Sequence, residues 1–315
     1  MNDNLDKSII SSLIFFDIFD YPLTKLEIWK FLYKNNYNND HAKLSLFDIE
    51  KTLNNKLINK IENKNGFYFL PGKKNIIKIR NKRYKQSFYK FQKAKKASKI
   101  FSLLPFIKMI AIGNFMPSNN TKKESDLDFF IVTKKNRIWI TRFFCVLISQ
   151  LLGWRPTKKN KKDKICLSFF ISEKNLDLRN IAIAKEKIND IYLCYWIATL
   201  YPLYNKGKTY ENFVSQNSWI KKYLPNFAKI IPIQQRKINP CFFSFIFLLL
   251  NFNFLEKIAK KIQLKIMPEN LKKLAGKSDG VIINDDILKF HENDRRKYYR
   301  NKFLNNYEKI YKKNF

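Results

Sequence analysis

The chain has 315 residues, 45% of them hydrophobic and 16% aromatic, and carries a formal charge of +35 from 61 Lys and Arg against 26 Asp and Glu. So much apolar material excludes a disordered chain and suffices for two or three domains. The charge invites a polyanionic partner: nucleic acid, nucleotide or an anionic membrane. Only ten of the basic residues are Arg, however, and Asn, Ile and Phe abound. AT-rich coding therefore accounts for the lysines as readily as a built binding face does, since phosphate readers favour the planar fork of Arg. Cys145, Cys166, Cys194 and Cys241 form no CxxC pair, and the only histidines are His41 and His291. That pattern excludes a zinc finger or disulfide framework and fits a reducing cytoplasm. The start, MNDNLDKSII, lacks the basic and apolar regions of a signal peptide.

Residues 1–75 read as three helices and a hairpin. Ile9, Leu13 and Phe16 recur at helical spacing, and Thr24 with Glu27 forms a capping box for a helix over Lys25–Tyr33. A third helix lies near Ser45–Leu57, with Lys51, Lys56 and Lys60 on it, and Asn65-Gly66 turns the hairpin. This is the element order of a winged helix, which serves either as a DNA reader or as a packing platform.

Residues 76–175 read as a small α/β unit. The basic stretch 73–104 interleaves Tyr84, Phe88, Phe91 and Ala94 with lysines, as a long amphipathic helix does when one face packs. Its other reading is an electrostatic guide for a phosphate chain. Strands follow at Ile107–Ile112 and Phe129–Val132, then a buried helix over Asn136–Leu152 and a third strand at Ile165–Ser172. Trp139 and Arg142 suit packing and ion pairing. Residues 176–315 read as mainly helical, with helices over Ile188–Tyr204, Tyr210–Leu224 and from about Asp285 onward, the last bearing Tyr299, Phe303, Tyr307 and Tyr311 at i, i+4 spacing. Cys241–Leu255 is apolar but too short to span a membrane, so a buried helix is expected, with membrane-surface docking as the alternative. The fold class expected is mixed α+β.

The specific chemical signal lies in FIKMIAIGNFMPSNNTKKESDLDFFIV, Phe106–Val132. Residues two apart on a strand share a face, so Asp126 and Asp128 project together while Leu127 and Phe129 point away. Burying unpaired carboxylates costs several kcal/mol or more, so they need lysines such as Lys122 and Lys123, or a cation. Hard ions such as Mg²⁺ take oxygen ligands and keep positions open for substrate phosphates. Gly113 permits close approach of a ligand, and Asn114 can donate to phosphate oxygens.

The stretch resembles the DNA polymerase β-like nucleotidyltransferase superfamily: an apolar strand ending in IAIGN, a loop, then SDLDFFIV entering the next strand. The resemblance covers Phe106–Ser172. It implies Asp126 and Asp128 as catalytic ligands of Mg²⁺ (or Mn²⁺), and Gly113, Asn114 and Ser125 as the nucleotide-binding residues that hold a nucleoside triphosphate. It implies transfer of a nucleoside monophosphate to an acceptor. Members of the superfamily often carry a third carboxylate on a following strand, but ICLSFFIS, Ile165–Ser172, has none; Ser168 sits in its middle, and Asp163 and Glu173 flank it. The alternative expectation is a non-catalytic nucleic-acid-binding or regulatory protein with a degenerate transferase domain. A second cluster, Asp285-Asp286 with HENDRR at His291–Arg296, reads as a solvated helix start; acid–base work by His291 and Glu292, and phosphate binding by Arg295 and Arg296, are its functional version.

Overall fold

The computed structural model describes residues 5–34, 44–113, 119–157, 159–183, 190–239 and 252–313. It is a mixed α+β fold built on one mixed sheet.

At the start, α1 (Leu5–Asp17), β1 (Leu23–Thr24), α2 (Lys25–Lys30), α3 (Leu46–Asn55), β2 (Glu62–Lys64) and β3 (Phe67–Phe69) form a helical cluster with an antiparallel sheet of order β1-β3-β2. Local chemistry explains the boundaries. The Thr24 hydroxyl accepts from the Glu27 N–H while the Glu27 carboxylate accepts from the Thr24 N–H, and Ser45 with Asp48 repeats the device. Asn65 and Gly66 both take positive φ, 54° and 75°, as a two-residue hairpin turn requires. Ile9, Leu13 and Phe16 are buried, as their spacing predicts.

The 26-residue helix α4 (Ile76–Phe101) links this cluster to the central sheet. Phe91, Ala94, Ala97 and Phe101 pack inward, but Tyr84 and Phe88, expected on the same face, stand 58% and 54% exposed. Arg80 grips the Glu27 carboxylate with two bonds of 2.8 Å, and Arg83 reaches Asp20 at 3.2 Å. Such bidentate pairs fix geometry as well as charge.

The sheet contains β4 (Ile107–Ile112), β5 (Leu127–Thr133), β6 (Ile165–Ser172), β7 (Tyr201–Asn205), β8 (Val281–Ile283) and β9 (Ile287–Phe290), in the order β7-β4-β5-β6-β9-β8. Among the described strands only β5 and β6 are parallel neighbours, with α5 (Ile138–Leu151) as their crossover. Three strands thus come from 201–290, beyond the segment expected to hold the sheet. The helix expected over Ile188–Tyr204 is α6 (Ile191–Thr199) followed by β7. An apolar run does not by itself distinguish helix from strand, and Pro202, which lacks an N–H, sits on the edge strand where a lost donor is tolerated. The helix expected from Asp285 is instead the β8–β9 hairpin, with α10 (Arg296–Lys313) beginning eleven residues later. The amphipathic run from Tyr210 becomes α7 (Thr209–Gln216) and a 3₁₀ turn over Ser218–Lys222. Residues 241–251 of the apolar segment lie outside the described residues. Its end enters α8 (Asn253–Ile266), where Phe252 and Phe254 are exposed rather than buried. A short helix, α9 (Glu269–Leu274), follows. Among the described residues no helix is long and apolar enough to cross a membrane.

Candidate functional site

Gly113 ends β4 and Asp126 precedes β5, so both stand at one end of the sheet. The Gly113 N–H donates to the Asp128 carbonyl oxygen at 3.1 Å, which locks the two strand ends together. Ser125 is held from three sides. Its carbonyl accepts from Lys90 Nζ and from the Asp163 N–H, and its hydroxyl donates to the Lys122 carbonyl at 2.9 Å. Thr121 is pinned to Ser87 on α4 by a 2.8 Å hydroxyl contact. The loop leading into β5 is therefore clamped against α4 immediately before the acids. Asn114 lies outside the described residues.

Asp126, Asp128 and Cys166 each offer a ligand atom within 4.8 Å of the others, and all three are half-buried. Cys166 is the register partner of Asp128 on β6. Burial raises the Asp126 carboxyl above its ordinary value, against the pull of its backbone hydrogen bond and of Lys161 and Lys90. Lys161 and Lys90, not Lys122 and Lys123, are thus the lysines that act on it. Burial, with the Asp128 and Asp126 charges, pushes the Cys166 thiol up, so it stays protonated. Two carboxylates and a neutral thiol suit a hard cation held by oxygen, with the sulfur standing by.

The acids open on a cavity of about 680 Å³, the size of an ordinary small-molecule site. Gly113, Ser125, Asp126 and Asp128 all line it, so the structure brings these expected residues together. The flanking carboxylates do not join them. Asp163 is taken by Lys90 and Lys93 at 2.8 and 2.9 Å, and Glu173 by Lys108 at 3.2 Å.

The HENDRR segment leads into α10 with Glu292, Asn293 and Arg295 exposed, but it is not merely a solvated helix start. Because β9 pairs with β6, His291, Asp294, Arg295 and Arg296 form the opposite wall of the cavity. His291 Nε2 lies 2.8 Å from the Ser168 hydroxyl, and the Cys166 thiol lies 3.1 Å from that hydroxyl, which makes a polar line from the acid pair to the imidazole. Burial, then Lys289, lowers the imidazole to about 4, so it is neutral at neutral pH. Asp294 sits between Lys289 and Arg296 at 2.8 Å each, and Arg296 also reaches Asp190 at 2.9 Å. The hydrogen bond from Arg296 and the Lys289 charge overcome burial and hold the Asp294 carboxyl far below the carboxylate range. Asp285 accepts from Trp139 Nε1 and from Lys260, and Asp286 from Ser172, so both are structural. Trp139 is buried, and Arg142 bonds Gln263 and stacks on Phe290, as packing residues do.

Several wall residues carry no local signal in the sequence. Trp196 from α6 crosses so close to Gly113 that a Cβ there would lie 2.7 Å from its indole nitrogen. Tyr192 and Tyr299 stack at 5.2 Å, and Phe19 meets Tyr299 at 4.8 Å. Lys122, Lys161 and Arg295 face the same space without an ion-pair partner among the described residues. Compared with family models, curated proteins and solved structures, the chain finds no match.

Proposed function

We propose that the chain is a divalent-cation-dependent nucleotidyltransferase of the reducing cytoplasm, with an N-terminal winged-helix-like unit packed against its active site. The observation that carries the reading is the Asp126–Asp128 pair, converging at one end of the sheet on a cavity that also receives Lys122, Lys161 and Arg295. Acids alone are common; acids facing unpaired cations across a nucleotide-sized space fit a metal–triphosphate complex.

Asp126 and Asp128 would hold Mg²⁺ or Mn²⁺, which supplies charge neutralisation at the phosphates when bound. Lys122, Lys161 and Arg295 bind the triphosphate oxygens. Trp196 and the Tyr192–Tyr299 stack offer apolar surface to the nucleobase. The acceptor hydroxyl oxygen attacks the α-phosphorus, the bond to the bridging oxygen breaks, and pyrophosphate leaves. His291, neutral and oriented by Ser168, takes the acceptor proton in the role a third carboxylate fills elsewhere. An imidazole titrating near 4 has the basicity of a carboxylate.

The test is incubation with each α-labelled triphosphate and Mg²⁺. Label transfer that Asp126→Asn and Asp128→Asn abolish supports the reading; unchanged triphosphate binding in both variants refutes it. The second reading, a non-catalytic nucleic-acid-binding protein, draws on β6 having no acid and on Asp163 and Glu173 being committed to lysines. Polynucleotide binding with no label transfer to any acceptor favours it.

A further inference from the structure

The face of α4 turned away from the core has a composition that packing does not explain. The helix contains ten Lys or Arg and no Asp or Glu. Arg80, Arg83, Lys90 and Lys93 are matched by acids from other elements. Lys78, Lys82, Lys85 and Lys96 are exposed and have no ion pair among the described residues. At about 100° per residue these four, with Lys93 and Tyr89, fall within roughly 80° of arc and extend for about 27 Å. Like charges three and four residues apart destabilise a helix, and a face that merely meets water would interleave glutamates to relieve them. AT-rich coding favours lysine but does not by itself remove every acid, since glutamate codons are A-rich too.

One aromatic ring stands in this ridge and two more flank it. Tyr89 is 71% exposed at its centre; Phe88, edge-on to it at 6.0 Å, and Tyr84, one turn before Phe88, are exposed on the adjoining side of the helix. The ridge ends at a second hollow of about 310 Å³ whose walls include Lys93, Lys96, Trp154, Lys162 and Lys164. The loop that supplies Lys162 and Lys164 also sends Lys161 into the acid-lined cavity. Positive charge therefore continues from the ridge to the candidate active site.

We propose that the exposed face of α4 is a binding track for single-stranded nucleic acid, with lysines along the phosphates and Tyr89, Phe88 and Tyr84 stacking on bases. A duplex hides its bases and a vesicle has none, so the exposed rings select the single strand. The track delivers a polynucleotide end to the cavity as acceptor; that last assignment rests on the transferase reading, whereas the binding does not.

The experiment is fluorescence anisotropy of the full chain with a labelled oligouridylate of about 20 nucleotides across a salt series. Replacing Lys78, Lys82 and Lys85 together by Gln reduces the slope of log K against log salt by about 2, at roughly 0.7 per phosphate contact. Tyr89→Ala weakens binding roughly tenfold and leaves the slope unchanged. Neither variant lowers the melting temperature, since all four side chains are exposed and the triple change relieves like-charge repulsion. The proposal is overturned if the triple variant retains the wild-type slope, if duplex binds as tightly with Tyr89→Ala silent, or if phosphatidylglycerol vesicles bind and the oligonucleotide does not. Asp126→Asn separates the two ideas, because it binds the oligonucleotide normally. Tight binding with no label transfer by the wild type sinks the transferase and leaves the track standing.

Discussion

Gly113 has two explanations, and they predict different things. In the resemblance it is the glycine that lets a triphosphate approach the backbone; in the structure a neighbour already fills the space its side chain would need. An added Cβ would meet Trp196 at 2.7, 3.1 and 3.3 Å from three indole atoms. The indole cannot swing freely, because it packs edge-on against Phe130 at 5.2 Å and tilted over Phe169 at 5.6 Å. Gly113→Ala is therefore an overpacking change costing about 1–3 kcal/mol, or a fall in melting temperature of about 1.5–4.5 °C for a chain of this size. Thermal unfolding followed by circular dichroism reads the stability. In a double-mutant cycle, Trp196→Leu removes the clash, so the second change restores much of what the first lost. Triphosphate affinity is then compared between Trp196→Leu and the double variant: equal affinity leaves packing as the reason for glycine, and a further loss shows that the glycine also serves a ligand. Independent, additive losses in the cycle would refute the contact as the reason for glycine.

Asp126→Asn is expected to abolish any rise in melting temperature on adding Mg²⁺ and to stabilise the metal-free fold slightly. Its carboxyl is raised by burial, so the folded state holds the proton more tightly and ionisation removes stability as pH climbs past the ordinary 3.8; a melt of the variant at pH 7 checks the sign. Asp294→Asn leaves Lys289 and Arg296 buried without their shared partner, at 4% and 6% side-chain exposure, and a loss of about 3–5 kcal/mol in urea unfolding is expected. The depressed Asp294 carboxyl also contributes stability that is present above pH 3.8 and lost as pH falls toward its folded value, so the variant's deficit shrinks in acid. His291 has its imidazole lowered from 6.5 to about 4, so the fold disfavours its protonation and loses stability as pH falls between those values. His291→Gln flattens that part of the pH–stability curve; in the transferase reading it also lowers kcat more than it changes triphosphate KM.

What the sequence revealed and what it hid divide along contact range. The Thr24–Glu27 box and the Asn65–Gly66 turn are decided within four residues, so they can be read directly. The strands β4, β5 and β6 are long apolar runs with clear breaks, and Asp126 and Asp128 stand together because alternation on a strand requires it. β7 and β9 are only five and four residues long; β9 makes a local hairpin with β8, but both join the sheet through partners some 90 to 120 residues away. No local pattern announces that joining. The fate of the third acid was hidden for the same reason: Asp163 and Glu173 are claimed by lysines of α4 and β4 that adjoin them only in the fold. His291 carried a polar signature that was visible, but the wall it belongs to exists only once β9 lies beside β6.

The strand order also has a consequence in time. A ribosome delivers the acid pair some 160 to 170 residues before His291, Arg295 and the Tyr299 ring. Until β9 arrives, β6 is an open edge whose Phe169, Phe170 and Ile171 have no outer neighbour, the kind of edge that recruits wrong partners. The nascent protein thus holds two carboxylates long before it holds the opposite wall of their cavity. A nascent chain that stops short of β9 would hold the acids without that wall.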